Sequence, residues 1–181
     1  MKRVDKNDKK EWGSRLPDRR DSFDDDNDIK EFKKLCHDNP DMSDYIRKFV
    51  PEGEYKWISK PNGKYGIDIA LVNRRNGKQV LLVDLERWNY WKNDWPSYYK
   101  YVHFLGRKDH FLNSDKPFLI VYLSYDASKV ILVDKDTLKK YRTESKYFKV
   151  KKRWDLVKVL PMSEGHIFGK NLTTTEINNF Q

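Results

Sequence analysis

The sequence predicts an α/β fold of the α+β kind, with a mixed central β-sheet flanked by helices. Three observations predict it. Apolar residues recur at helical spacing from Ile29 to Val50. Strand-like apolar runs stand on either side of Asn76-Gly77 and again at 117–125. A stretch of helical period separates the second of these runs from the third, giving the order helices, three strands, helix, strands.

Taken in order, residues 1–27 mix charges with few apolar side chains and read as a flexible tail. Residues 28–181 read as a single domain, with a core over 28–125 and a basic extension over 126–181. Ile29, Phe32, Leu35 and Cys36 define a first helix. Asn39-Pro40 breaks it and starts a second, with Met42, Tyr45, Ile46, Phe49 and Val50 on one face. Strands follow over 54–59, 65–73 and 79–88, then a helix carrying Tyr98, Val102 and Leu105 on one face. Further strands are expected over 117–125, 129–134 and 147–154. Thr173-Thr174-Thr175-Glu176 has the form of a capping box for a short last helix.

The charge is placed unevenly. The net charge is +9, yet residues 1–27 carry eight basic and eight acidic side chains, so the rest holds 29 basic against 20 acidic ones. A folded body with that excess attracts polyanions, of which nucleic acid is the usual one. The single cysteine, Cys36, excludes an intrachain disulfide and a Cys-based zinc site. Residues 1–6 lack the apolar run of a secretory signal, and no stretch reaches membrane-spanning length, so a cytoplasmic, intracellular protein without a membrane partner is expected. His37, His103, His110 and His166 have no ligand spacing, and neither a nucleophile triad nor a glycine-rich phosphate loop is present.

The chemistry lies in two strands, Gly66-Ile67-Asp68-Ile69-Ala70 and Leu82-Val83-Asp84-Leu85-Glu86-Arg87. Alternation puts Leu82, Asp84 and Glu86 on one side and Leu81, Val83 and Leu85 on the other. Both sides are apolar, as in a central strand covered on both faces. Acids at the end of such a strand are costly unless paired or bound to metal. Asp68 joins them only in one register. A two-residue turn at Asn76-Gly77 would turn it away, whereas a three-residue Arg75-Asn76-Gly77 loop with Gly77 left-handed would set Asp68 opposite Asp84. Opposed Cβ atoms lie about 4.5–5.5 Å apart. Carboxylates that close repel unless a cation sits among them, and an all-oxygen donor set points to Mg²⁺ or Mn²⁺. The plainer reading is a pair of acids decorating the end of a hairpin.

These residues and their element order resemble the PD-(D/E)XK nuclease superfamily, the restriction-endonuclease-like fold, over roughly Asp28 to Tyr125. The resemblance assigns the first acid to Asp68 and the second to Asp84. Glu86 stands where the usual motif lysine would be. It implies a divalent-metal-dependent nuclease, most simply a DNA endonuclease, with Asp68, Asp84 and Glu86 at the metal and Glu86 orienting the attacking water. Some members add a glutamate from the first helix, for which Glu31 is the candidate. Others supply the lysine from the second helix, for which Lys100 is the candidate on a face shared with His103 and Arg107. Many enzymes of this fold work as homodimers.

Two stretches suit a nucleic-acid partner. Trp91 lies in an aromatic run directly after the acids, where it would stack on bases or, more commonly for tryptophan, pack in the core. Between Lys139 and Trp154 there are eight basic residues and one acidic one, and Lys149, Lys151 and Arg153 would form the basic edge of a strand, with Arg107 a further phosphate contact. The competing readings are a catalytically inactive nucleic-acid-binding protein on the same fold and a basic viral structural or scaffold protein. Only Ala70 and Ala127 represent alanine, a bias that suits an AT-rich, viral origin.

Overall fold

The computed structural model describes residues 19–63, 66–149 and 152–180. Helix α1 (Arg19–Asp38) runs into α2 (Pro40–Arg47) through Asn39, whose side chain accepts the Met42 N–H at 3.1 Å while Pro40 occupies the first turn. Helix α1 reaches further back than the periodicity predicts. Residues 1–18 of the expected tail lie outside the described residues, and 19–27 are helical. A period-based reading finds no signal there because apolar residues are few. The seated half of the helix, with Ile29 and Phe32 buried, carries the extension, and Asp26 pairs with Lys60 at 2.9 Å.

Strands β1 (Tyr55–Ser59), β2 (Ile69–Asn73) and β3 (Gln79–Arg87) form an antiparallel meander. After β4 (Tyr101–Leu105) and a 3₁₀-helix (Gly106–Asn113) come β5 (Phe118–Leu123) and β6 (Lys129–Asp134). Then follow α3 (Lys135–Lys139), β7 (Thr143–Phe148), β8 (Arg153–Pro161), β9 (His166–Gly169) and α4 (Thr174–Asn179). The main sheet has the order β1-β2-β3-β5-β6-β9, with β3 and β5 parallel and every other pair antiparallel. A second sheet has the order β4-β8-β7. The fold is thus mixed α+β. No described helix is long and apolar enough to cross a membrane.

The central strands are apolar on both faces because both faces are covered. Leu81, Val83 and Leu85 pack with Ile29 and Phe32 of α1 on one side. Leu82 packs with Val102, Phe104 and Leu160 of the second sheet on the other. Strand β5 is buried along its whole length. Arg87 fastens α1 to β3: its Nε donates to Asp28 Oδ1 at 2.7 Å and its Nη1 to the Tyr125 carbonyl at 2.6 Å.

Two expected elements differ. The stretch read as a helix around Tyr98 to Leu105 is a strand from Tyr101 onward, because Val102 and Phe104 alternate inward and β8 offers a pairing edge. The strand expected over 147–154 is the middle of a hairpin. Phe148 ends one strand and Arg153 begins the next, with Lys152 at φ 50° in the turn. The last helix has the predicted capping box, Thr173 receiving the Glu176 N–H and returning its own to Glu176.

Candidate active site

The register that gathers the acids is the expected one, reached by a different device. The loop from β2 to β3 is closed by Asn73 N–H to the Lys78 carbonyl at 2.9 Å, with four residues, Arg74 to Gly77, between them. Gly77 is left-handed, with φ 68°. That closure alone would place Asp68 one residue out of step. A bulge between Leu71 and Val72 restores the phase, giving Leu71↔Leu81, Ala70↔Leu82 and Ile69↔Val83. Carried one residue further, this register sets Asp68 beside Asp84.

Asp68 stands just before β2 begins. The N–H of Leu85 points toward that side of β3, where no strand backbone is present to receive it, and Asp68 Oδ2 accepts it at 2.8 Å. At Gly66 the chain turns closely against Asn62, and a Cβ there would lie 3.0 Å from Asn62 Cβ.

Asp84 and Glu86 share one cation of the protein itself. Lys108, on the 3₁₀-helix, brings Nζ to 2.5 Å from Asp84 Oδ2 and 3.4 Å from Glu86 Oε2. The Lys108 and Asp84 side chains are 13% and 8% exposed, so the pair is shielded from water. Asp84 Oδ2 has no hydrogen bond of good geometry despite this ion pair. Burial works against the charge on Lys108, but Asp84 and Glu86 outweigh it and hold the ammonium above its ordinary range. The floor is Tyr122, which pairs with Glu86 across β3 and β5 and donates its hydroxyl to the His103 carbonyl at 2.9 Å. Burial, reinforced by Glu86 and Asp84, pushes its phenol well up, so it stays a donor. His103 is held neutral, its pKa lowered to about 4 by burial and by Lys146, whose Nζ lies 2.8 Å from His103 Nε2.

Among the described residues no group of three or more His, Cys, Asp or Glu side chains is gathered closely enough to hold a metal. The acids stand as a pair bridged by Lys108 with Asp68 as neighbour. The donors are all oxygen, the class that Mg²⁺ and Mn²⁺ prefer, and the place between Asp84 and Glu86 is taken by the Lys108 ammonium. No protein-family model matches this chain, and no curated protein or solved structure matches it either.

The remaining candidates scatter. Lys100 is exposed in the loop before β4, so no helical face unites it with His103 and Arg107. Glu31 lies on α1, which packs against the opposite face of the sheet from Asp84. Trp91 is fully buried and donates Nε1–H to Glu176 at 2.5 Å, so its ring belongs to the core. Arg107 and Lys149 are exposed, whereas Arg153 pairs with Asp155 at 3.2 Å; Lys151 lies outside the described residues. Lys108 is the residue that periodicity misses. Once 96–105 is taken as helix, Lys108 falls off the chosen face. Its one sequence signal is its place between the acid pair and the next apolar strand.

Proposed function

We propose that this protein is a divalent-metal-dependent nuclease, most simply a DNA endonuclease, built on Asp68, Asp84 and Glu86 with Lys108 in the role of the absent motif lysine. The observation that carries this reading is Lys108 Nζ lying between Asp84 and Glu86 at the end of the central strand. A buried lysine converging from another element on two acids is the constellation that the resemblance expects from a single D-x-K run. Asp84 and Glu86, with Asp68 alongside, would hold Mg²⁺ or Mn²⁺, which when bound would stabilise charge developing on the phosphate. Lys108, kept charged by the acids, would face the same phosphate oxygens. Glu86, the more exposed of its two partners, would accept a proton from the attacking water. The basic excess outside 1–27 would draw the polyanion in.

A second reading is favoured by the same ion pair. With Lys108 already neutralising Asp84 at 2.5 Å, the acids need no metal, and the protein would be a nucleic-acid-binding module without chemistry. The deciding experiment is cleavage of a panel of duplex, single-stranded and branched DNA with Mg²⁺, Mn²⁺ or EDTA, comparing wild type with Asp84→Asn. Metal-dependent cutting lost in the variant supports the nuclease. Salt-sensitive binding with no cutting under either metal supports the binding module.

A further inference from the structure

Strand β8 is longer than its partner β4. Only Val157 to Pro161 pair with β4; Arg153 to Leu156 pair with β7 alone. The two strands therefore run out beyond the second sheet as a two-stranded arm. Such arms are marginal by themselves and need a reason to project. The face that buries Val102, Phe104 and Leu160 at the inner end continues outward into solvent. There it carries Trp154, 65% exposed, directly opposite Tyr147, 44% exposed, with their ring centroids 5.6 Å apart. Leu156, two residues on, is 50% exposed on the same face. Large apolar side chains grouped in this way mark an interaction surface.

What surrounds them indicates the occupant. The turn that caps the arm presents Lys149 and Lys152, both exposed, within the stretch 139–153, where Glu144 is the one acid against eight basic residues. Aromatic faces flanked by cations match a nucleic-acid strand with unpaired bases, the rings stacking on bases and the lysines following the phosphates. The arm is also tied to the candidate site. Leu156 rests on Gly106, where a Cβ would lie 2.8 Å from Leu156 Cβ, and Gly106 opens the short helix that carries Lys108. Asp109 of that helix accepts from Thr143 of β7 at 2.6 Å.

We infer that the β7–β8 arm is a docking platform for single-stranded nucleic acid, with Trp154 and Tyr147 stacking on unpaired bases and Lys149 and Lys152 contacting phosphates. Its service to the acids rests on the nuclease reading; the binding itself does not. The test is fluorescence anisotropy of a labelled oligothymidylate and a labelled hairpin duplex, measured in EDTA so that cutting plays no part. Trp154→Ala is expected to weaken the single strand by about 10-fold or more. Duplex binding should be unchanged, and Trp154→Phe should keep most of the single-strand affinity. Lys149→Gln should reduce the salt dependence by about one phosphate contact. Unchanged single-strand affinity in Trp154→Ala overturns the inference, as does equal loss on duplex. So does a change from dimer to monomer in sedimentation with strand affinity intact, which would make the patch a contact between copies. Cutting by the wild type in Mg²⁺, assayed separately, distinguishes the two claims. Cutting without Trp154-dependent binding sinks the arm alone, and Trp154-dependent binding without cutting sinks the nuclease alone.

Discussion

Lys108 Nζ stands 2.5 Å from Asp84 Oδ2, so a short 3₁₀-helix supplies the counter-charge to an acid on the central strand of the sheet. Removing one partner of a buried pair leaves the other charge unsatisfied, which costs about 3–5 kcal/mol. Lys108→Met is expected to lose stability on that scale and to abolish any cutting. It should also respond more strongly to Mn²⁺, because a cation then meets Asp84 and Glu86 without competition from the ammonium. Thermal melting with and without Mn²⁺ checks this: a larger Tm rise in the variant than in the wild type is the expected outcome. Equal shifts would mean that Lys108 does not compete with a cation for these acids.

His103 is neutral in the folded protein, with a pKa near 4 against about 6.5 when unfolded. Between those values the unfolded chain binds a proton that the folded chain refuses. Stability from this residue is therefore fully present above pH 6.5 and is lost as pH falls toward 4, to a total of about 3 kcal/mol at most. His103→Gln should flatten that part of the urea-stability profile. NMR titration of the ring should give a midpoint near 4; a midpoint near 6.5 would contradict the buried geometry.

Lys129 and Glu176 form the deepest ion pair described, at 2.5 Å, with side chains 5% and 0% exposed. Glu176 also receives Trp91 Nε1–H, and Lys129 donates to the Asn93 carbonyl at 2.8 Å, so α4 is fastened to the loop after β3. Glu176→Ala or Lys129→Met alone should cost about 3–5 kcal/mol in urea unfolding. The double variant Lys129→Met/Glu176→Leu should cost less than the sum, since it leaves no orphan charge. Simple additivity would show that the two charges are not coupled.

Gly106 meets the arm at close quarters, its missing Cβ lying 2.8 Å from Leu156 Cβ and 2.9 Å from the Leu156 carbonyl oxygen. Gly106→Val should push the arm away and cost about 1–3 kcal/mol by overpacking. Hydrogen exchange across 143–157 should speed up, while β3 and β5 keep their protection. Unaltered exchange in the arm would show that this contact does not hold it.

Much of the frame was legible from local pattern. Asn39-Pro40, the two-faced β3 run, the apolar β5 segment and the Thr173–Glu176 capping box each announce themselves within a few residues. The phase of Asp68 against Asp84 does not: the turn signal leaves two registers open, and a longer loop together with the bulge at Leu71 and Val72 decides between them. Where period and propensity conflict, sequence reading fails: Tyr101–Leu105 satisfies a helical stripe and a strand alternation at once, and pairing with β8 decides.

The sequence by itself determined which residues form the central strands and that Asp84 and Glu86 share one face at the end of one of them, because side-chain alternation is a property of the local chain. Only tertiary structure decided which cation meets those acids, and which aromatics are core and which are surface. Lys108 reaches Asp84 through a crossover whose path no periodicity encodes, and Trp91 is buried while Trp154 is exposed because one lies under α4 and the other beyond the end of β4. Contacts between residues distant in sequence depend on how elements pack, and that information is spread over the whole chain.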